Sequence, residues 1–228
     1  MLAVNPPAWP IGVADTALLI IDMQRDFCSP HGYAARAGLD VARLARPIGQ
    51  IRRLLDAARG AGMLVVHTRE GHRPDLSDCP AEKMQRSRQA GAPIGSAGPM
   101  GRLLVRGEYG HDFIDELQPA AGESVIDKPG YGAFYQTELA QLLSNRCIRR
   151  LIVCGVTTEV CVHSTLREAV DRGYACVTVA DATAASDPAL QAPALAMIGV
   201  EGGIFGCVAT TEQLLAALRR VSSHEGLS

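Results

Sequence analysis

Residues 150–181, R-L-I-V-C-G-V-T-T-E-V-C-V-H-S-T-L-R-E-A-V-D-R-G-Y-A-C-V-T-V-A-D, contain a complete strand, turn, helix and strand. RLIVCGV (150–156) is a continuous apolar run rich in β-branched residues, the pattern of a strand buried on both faces. Apolar residues then recur at helical spacing over 159–172, and Gly173 falls where a helix-terminating glycine is expected. YACVTVAD (174–181) is again mostly apolar. Two buried strands joined through a helix pair in parallel, because the crossover returns the chain to the same end of the sheet.

The same alternation extends outward. TALLIID (16–22), MLVVHT (63–68), SVIDK (124–128) and a weaker GIFGCV (203–208) read as further strands. Helical spacing covers 40–60, which ends at Gly62, and also 136–146, 188–198 and 211–221. The expected fold is α/β: a three-layer sandwich, with a mostly parallel sheet carrying helices on both faces. With 228 residues, 47% hydrophobic composition and no long polar linker, the chain is expected to form a single domain over 1–228. Residues 69–110 break the alternation. They are rich in Gly and Pro and predict a long loop without a regular element, of the kind that is either functional or disordered.

Twenty-two Lys and Arg against 24 Asp and Glu give a net charge of -2, with no basic block to track nucleic acid or an anionic membrane. No apolar run approaches the length of a membrane span, and the N-terminus lacks a basic stretch followed by an apolar one. A cytoplasmic protein is the expectation. Seven scattered cysteines without a C-x-x-C pair fit a reducing compartment better than a disulfide framework or a zinc ribbon. Several of them, Cys154 and Cys176 included, sit inside apolar runs and read as small buried hydrophobes.

Ligands of open α/β sheets bind beyond the carboxyl ends of the strands. Three such ends carry candidates: Asp22 closing TALLIID, Lys128 closing SVIDK, and the segment Gly155 to Cys161 that follows RLIVCGV. With Thr158 as N-cap, Cys161 falls in the first helical turn, where unpaired N–H groups and the helix dipole favour a thiolate and can receive an oxyanion. Taken alone, Cys161 would more readily be a packing residue. A lysine and an aspartate at buried strand ends each need a partner, however, and together they supply one another and a charged setting for the thiol.

These residues carry a resemblance. D-M-Q-R-D-F (22–27), K-P (128–129) and G-V-T-T-E-V-C-V (155–162) are similar to the three signatures of the isochorismatase-like cysteine hydrolases, in the same order along nearly the whole chain. The resemblance implies a catalytic Asp22, Lys128 and Cys161, with Asp22 as general base and Lys128 balancing charge. It also implies a cis peptide between Val156 and Thr157, and the N–H groups of Thr157 and Cys161 as oxyanion donors. Members of that family that cleave a vinyl ether lack the cysteine, so Cys161 implies C–N cleavage through an acyl-enzyme. No cofactor is expected. A metal is not expected either, since H-T-R-E-G-H-R-P-D (67–75) lacks the Asp and two His pattern of nicotinamidase relatives, and His67 reads as a hydrogen-bonded histidine of the core or rim.

The stretch at 67–76, with D-F-C-S-P-H-G-Y (26–33), resembles the ureide branch, which includes biuret, triuret and ureidoacrylate hydrolases. A small ureide, biuret or triuret, is the expected substrate, with ureidoacrylate or an N-carbamoyl amino acid as the alternative. A non-catalytic binding protein is the rival outside enzymes. Candidate substrate-binding residues are Phe27 and Tyr131 as walls, Arg69, Glu70 and Arg73 as polar contacts, Thr158, and Glu201 in the glycine-rich G-V-E-G-G-I-F-G (199–206). An ionised Glu201 accepts only, so it would favour paired N–H donors and repel an anionic substrate such as ureidoacrylate. The resemblance further implies a homodimer or homotetramer, in which the 69–110 segment could reach a neighbouring subunit's pocket.

Overall fold

The structure is a computed structural model and describes residues 11–225. It runs through β1 (Thr16–Ile21), three short helices α1 (Arg25–Cys28), α2 (Tyr33–Arg36) and α3 (Val41–Ala45), then α4 (Ile48–Gly60) and β2 (Leu64–Glu70). Next come α5 (Ala81–Gln89), a two-residue pair β3 (Ala97–Gly98) and β4 (Gly101–Arg102), and β5 (Ser124–Lys128). The remainder is α6 (Leu139–Asn145), β6 (Arg150–Val156), a π-helical turn at Thr158–Val162 that continues into α7 (His163–Asp171), β7 (Ala175–Ala184), α8 (Pro188–Ile198), β8 (Cys207–Ala209) and α9 (Thr211–Glu225).

Six strands form one sheet in the order β5-β2-β1-β6-β7-β8, with every pairing parallel. Strand alternation sorts its side chains into two cores. Leu18 and Ile20 of β1, Val65 of β2 and Val177 of β7 pack against Ile51, Leu54 and Leu55 of α4 and Leu214 of α9. Ala17, Leu19, Ile21, Val66 and Val153 face the other way, toward Leu139 and Leu143 of α6 and Leu166 of α7. The three-layer α/β expectation is met. From β1 the chain turns outward on one side to β2, and from β6 on the other to β7, so the strand order reverses between β1 and β6. That is where an open α/β sheet leaves a crevice at its carboxyl end.

Several elements differ from their sequence expectation. The helix expected at 40–60 is two, α3 and α4, because Pro47 cannot continue the first and instead caps the second. The strand expected at 203–208 shrinks to Cys207–Ala209, since Gly202, Gly203 and Gly206 all adopt positive φ and turn the chain. The 69–110 segment holds α5 and the β3–β4 pair rather than irregular chain alone. Helix α5 was hidden because the residues it buries are Lys83 and Ser87, polar side chains at helical spacing. Among the described residues no helix is long and apolar enough to cross a membrane.

Candidate active site

Asp22 follows directly on β1 with φ 51°, an uncommon conformation for a residue with a side chain. Its N–H donates to the Thr68 carbonyl at 3.2 Å, and the Thr68 hydroxyl donates to its Oδ1 at 2.6 Å. This pins the carboxylate at the crevice, with Oδ2 2.7 Å from Lys128 Nζ. Lys128, fully buried at the end of β5, also donates to the Gly130 carbonyl at 3.0 Å and lies 3.4 Å from Glu70 Oε2. Glu70 closes β2, and Lys83 reaches in from α5 to place Nζ 2.6 Å from Glu70 Oε1. The Cys161 thiol donates to Glu70 Oε2 at 3.3 Å. Three strand ends, one helix and one turn thus converge on a buried cluster of two carboxylates, two ammonium groups and a thiol.

Cys161 is the fourth residue of the π-helical turn. Thr157, not Thr158, occupies the cap, with extended backbone and a cis peptide to Val156. The wider turn shifts the expected register by one residue. The Thr158 hydroxyl therefore donates to Gln191 Oε1 of α8 at 2.9 Å, away from the cavity. Gln191 also accepts from Ala185 N–H at 2.7 Å, so α8 braces the turn. Beneath it, Gly155 has φ 111°, and a Cβ there would stand 2.0 Å from the Ile21 carbonyl oxygen; only glycine lets β6 run this close to β1.

Burial pushes the Cys161 thiol well up; Lys128 lowers it, while Glu70 and Asp22 raise it further. The free protein thus holds a thiol, contrary to the thiolate expected from the helix terminus, because desolvation and two carboxylates outweigh one ammonium group. Asp22 is also raised, chiefly by burial, which makes it a better proton acceptor than an exposed aspartate. Glu70 behaves oppositely: burial would raise it, but Lys83 and Lys128 hold it at about 2. Burial works against the Lys128 cation, yet Asp22, Cys161 and Glu70 together raise its pKa. A buried thiol beside a carboxylate able to take its proton is suited to attack on a carbonyl carbon.

A cavity of about 270 Å³ opens onto this cluster, with Phe27, Tyr33, Ile94 and Tyr131 as walls and Thr157 and Cys161 on the turn side. Phe27, Glu70, Tyr131 and Thr157 are among the residues lining it. Arg69 is not. Its guanidinium is paired with Asp127 at 2.8 Å and Asp112 at 3.1 Å, because neighbours on a strand point to opposite faces and Glu70 takes the cavity side. Arg73 is exposed and lies outside the cavity lining. Glu201 sits on an exposed turn with φ 51°, also outside the lining. Lys83, Arg86 and Ser87 of α5 line the cavity and were missed, since a polar helix inside a glycine-rich segment carries no hydrophobic period.

Acid atoms of Asp22, Glu70 and Cys161 lie within 4.8 Å of one another, a grouping that can attract a cation. Here the Lys128 and Lys83 ammonium groups contact both carboxylates and supply that positive charge. His67 is turned to Glu123 at 3.0 Å, as a hydrogen-bonded core histidine, and His72 to Asp78 at 3.2 Å.

The fold and this cluster define an α/β hydrolase of the cysteine type. The chain belongs to the isochorismatase family, whose domain matches residues 16–213. It is similar to ureidoacrylate amidohydrolase RutB of Serratia proteamaculans, 34% identical over 95% of this chain and 88% of the relative. The RutB of Methylorubrum extorquens is 37% identical over 94% and 90%. Among solved structures, a cysteine hydrolase from Pseudomonas syringae pv. phaseolicola superposes with a TM-score of 0.80 at 30% identity, covering 94% of this chain and 97% of that one. N-carbamoylsarcosine amidase from Thermoplasma acidophilum superposes with a TM-score of 0.67 at 25% identity, covering 87% and 97%. The protein is accordingly a hydrolase acting on amide C–N bonds outside peptides.

Proposed function

We propose that this protein cleaves the carbamoyl C–N bond of a small N-carbamoyl acid of the ureidoacrylate type. Cys161 is the nucleophile, Asp22 the base and Lys128 the residue that balances charge. Asp22 takes the thiol proton as Sγ attacks the carbamoyl carbon, and the N–H groups of Thr157 and Cys161 receive the oxyanion. The C–N bond breaks, the departing nitrogen leaves with the proton held by Asp22, and a carbamoyl thioester remains on Cys161. Water gives a proton to Asp22 and attacks that thioester; the thiol regains its proton and the released carbamate breaks down to ammonia and carbon dioxide.

The observation that carries the choice of substrate is the α5 wall. Arg86, exposed at one side of the cavity, offers a cation to a carboxylate borne away from the carbamoyl group. Glu201, the residue that would repel an anion, lies outside the cavity lining. The RutB relatives bear the name of such a substrate. A second reading, an uncharged ureide such as biuret or triuret, draws support from the Glu70 carboxylate at the thiol, an acceptor for paired N–H donors. Ammonia release from ureidoacrylate, N-carbamoyl amino acids, biuret and triuret separates the two. Highest kcat/KM on the carboxylate-bearing compounds is expected, and a preference for biuret or triuret would replace the first reading by the second. C161A and C161S should lower turnover by about 10³-fold or more with the fold intact. Retained ammonia release in these variants would end the cysteine mechanism.

A further inference from the structure

A second ammonium group stands beside the carboxylate that touches the thiol, and the Asp22, Lys128 and Cys161 mechanism leaves it unused. Lys83 is buried, with Nζ 2.6 Å from Glu70 Oε1, 2.7 Å from the Pro129 carbonyl and 4.8 Å from the centre of the Tyr131 ring. A lysine is rarely buried without a purpose that offsets its desolvation. Here it and Ser87 are the residues that an otherwise polar helix buries. Glu70 is faced by Asp22 beyond β1, Lys128 on β5, Cys161 on the turn and Lys83 on α5. At longer range lie Tyr33 on α2, Tyr131 after β5, and His72 and Cys79 between β2 and α5.

Formal charges decide what the pair does. Asp22 and Glu70 contribute two negative charges and Lys128 and Lys83 two positive ones, so the buried cluster is neutral with Cys161 as a thiol. Passing the thiol proton to Asp22 leaves it neutral. Without Lys83 the cluster would carry one uncompensated negative charge before and after that transfer, a costly state for buried side chains. The cheapest remedy is a proton from solvent on a carboxylate, which disables the base or holds the thiol back.

We propose that Lys83 is a positioning residue that keeps Glu70 ionised against the nucleophile and the buried cluster neutral, leaving Asp22 as the group that receives the Cys161 proton. This rests on Cys161 being the nucleophile. Glu70 is held at about 2 although burial would raise it, and Lys83 is the largest of the groups lowering it.

The test does not depend on the substrate. The rate at which iodoacetamide alkylates Cys161, followed on its own peptide by mass spectrometry, is measured against pH for the full-length wild type, K83R, K83Q, E70Q and E70Q/K83Q. The inflection should rise by about one pH unit or more in K83Q, fall in E70Q, and return close to the wild-type value in the double variant, where neither charge remains. K83R keeps the charge and should keep the wild-type inflection. An unshifted K83Q, or a double variant shifted as far as K83Q, would overturn the proposal. Should K83Q not fold, the fall in E70Q carries the test, and an unchanged E70Q profile overturns it. Failure of Cys161 to react in the wild type, while exposed Cys147 does, would instead remove the nucleophile and the proposal with it.

Discussion

At the scale of residues, the site depends on carboxylates whose tasks are set by their neighbours. Asp22 contacts one ammonium group and has its affinity for a proton raised by burial, whereas Glu70 contacts two and stays ionised to about pH 2. Environment thus separates the proposed base from a fixed charge. Asp22→Asn keeps the shape and the Thr68 contact but cannot take a proton. It should lower kcat/KM by about 10²- to 10⁴-fold on the best substrate of the ammonia assay, with near-normal circular dichroism. Undiminished turnover would transfer the base role elsewhere. Asp22, Lys128 and Cys161 were legible because an ionisable side chain at the end of an apolar run is conspicuous. Arg69 and Glu70 were read as equals, although adjacent strand positions cannot face the same side, and that parity excludes Arg69.

At the scale of elements, the positions that matter are those where backbones approach. Gly155 lets β6 pass β1 just where both strands deliver their site residues, and an alanine Cβ would meet the Ile21 carbonyl oxygen at 2.0 Å. Gly155→Ala should destabilise by roughly 1–3 kcal/mol, since overlap and positive φ act together. Thermal unfolding checks the loss, and slower Cys161 alkylation should accompany it because the turn moves. The long strands were legible from their apolar runs. Helix α5 was not, because its buried face is Lys83 and Ser87, and the π-helical turn was not, because T-T-E-V-C gives no sign of the extra residue that makes Thr157 the cap.

At the scale of the molecule, topology explains why one cluster gathers side chains so distant in sequence. Asp22, Glu70, Lys128 and Cys161 come from β1, β2, β5 and the turn after β6, four neighbouring strands whose carboxyl ends share one rim. Strand order itself was beyond the sequence, since apolar runs say which segments are buried but not which pair. The buried charges also give the fold a pH signature. Glu70 titrates at about 2 when folded against an ordinary 4.5, so the stability it contributes is full above pH 4.5 and is lost as pH falls toward 2. Urea midpoints measured from pH 6 down to 3 should fall for the wild type and fall less steeply for E70Q. Equal slopes would mean that other carboxylates dominate acid unfolding.

The cavity wall that carries Lys83, Arg86 and Ser87 is a helix inserted between β2 and β5, not a layer of the sandwich. The insert therefore joins the two proposed tasks: its Lys83 contacts the Glu70 carboxylate beside the thiol, and its Arg86 lines the cavity. The sheet rim holds Asp22, Glu70 and Lys128, and the connection between β2 and β5 adds Lys83, Arg86 and Ser87 to the cavity wall. Rewriting that insert to admit another substrate would therefore disturb the charges beneath it unless the ammonium group at position 83 were kept.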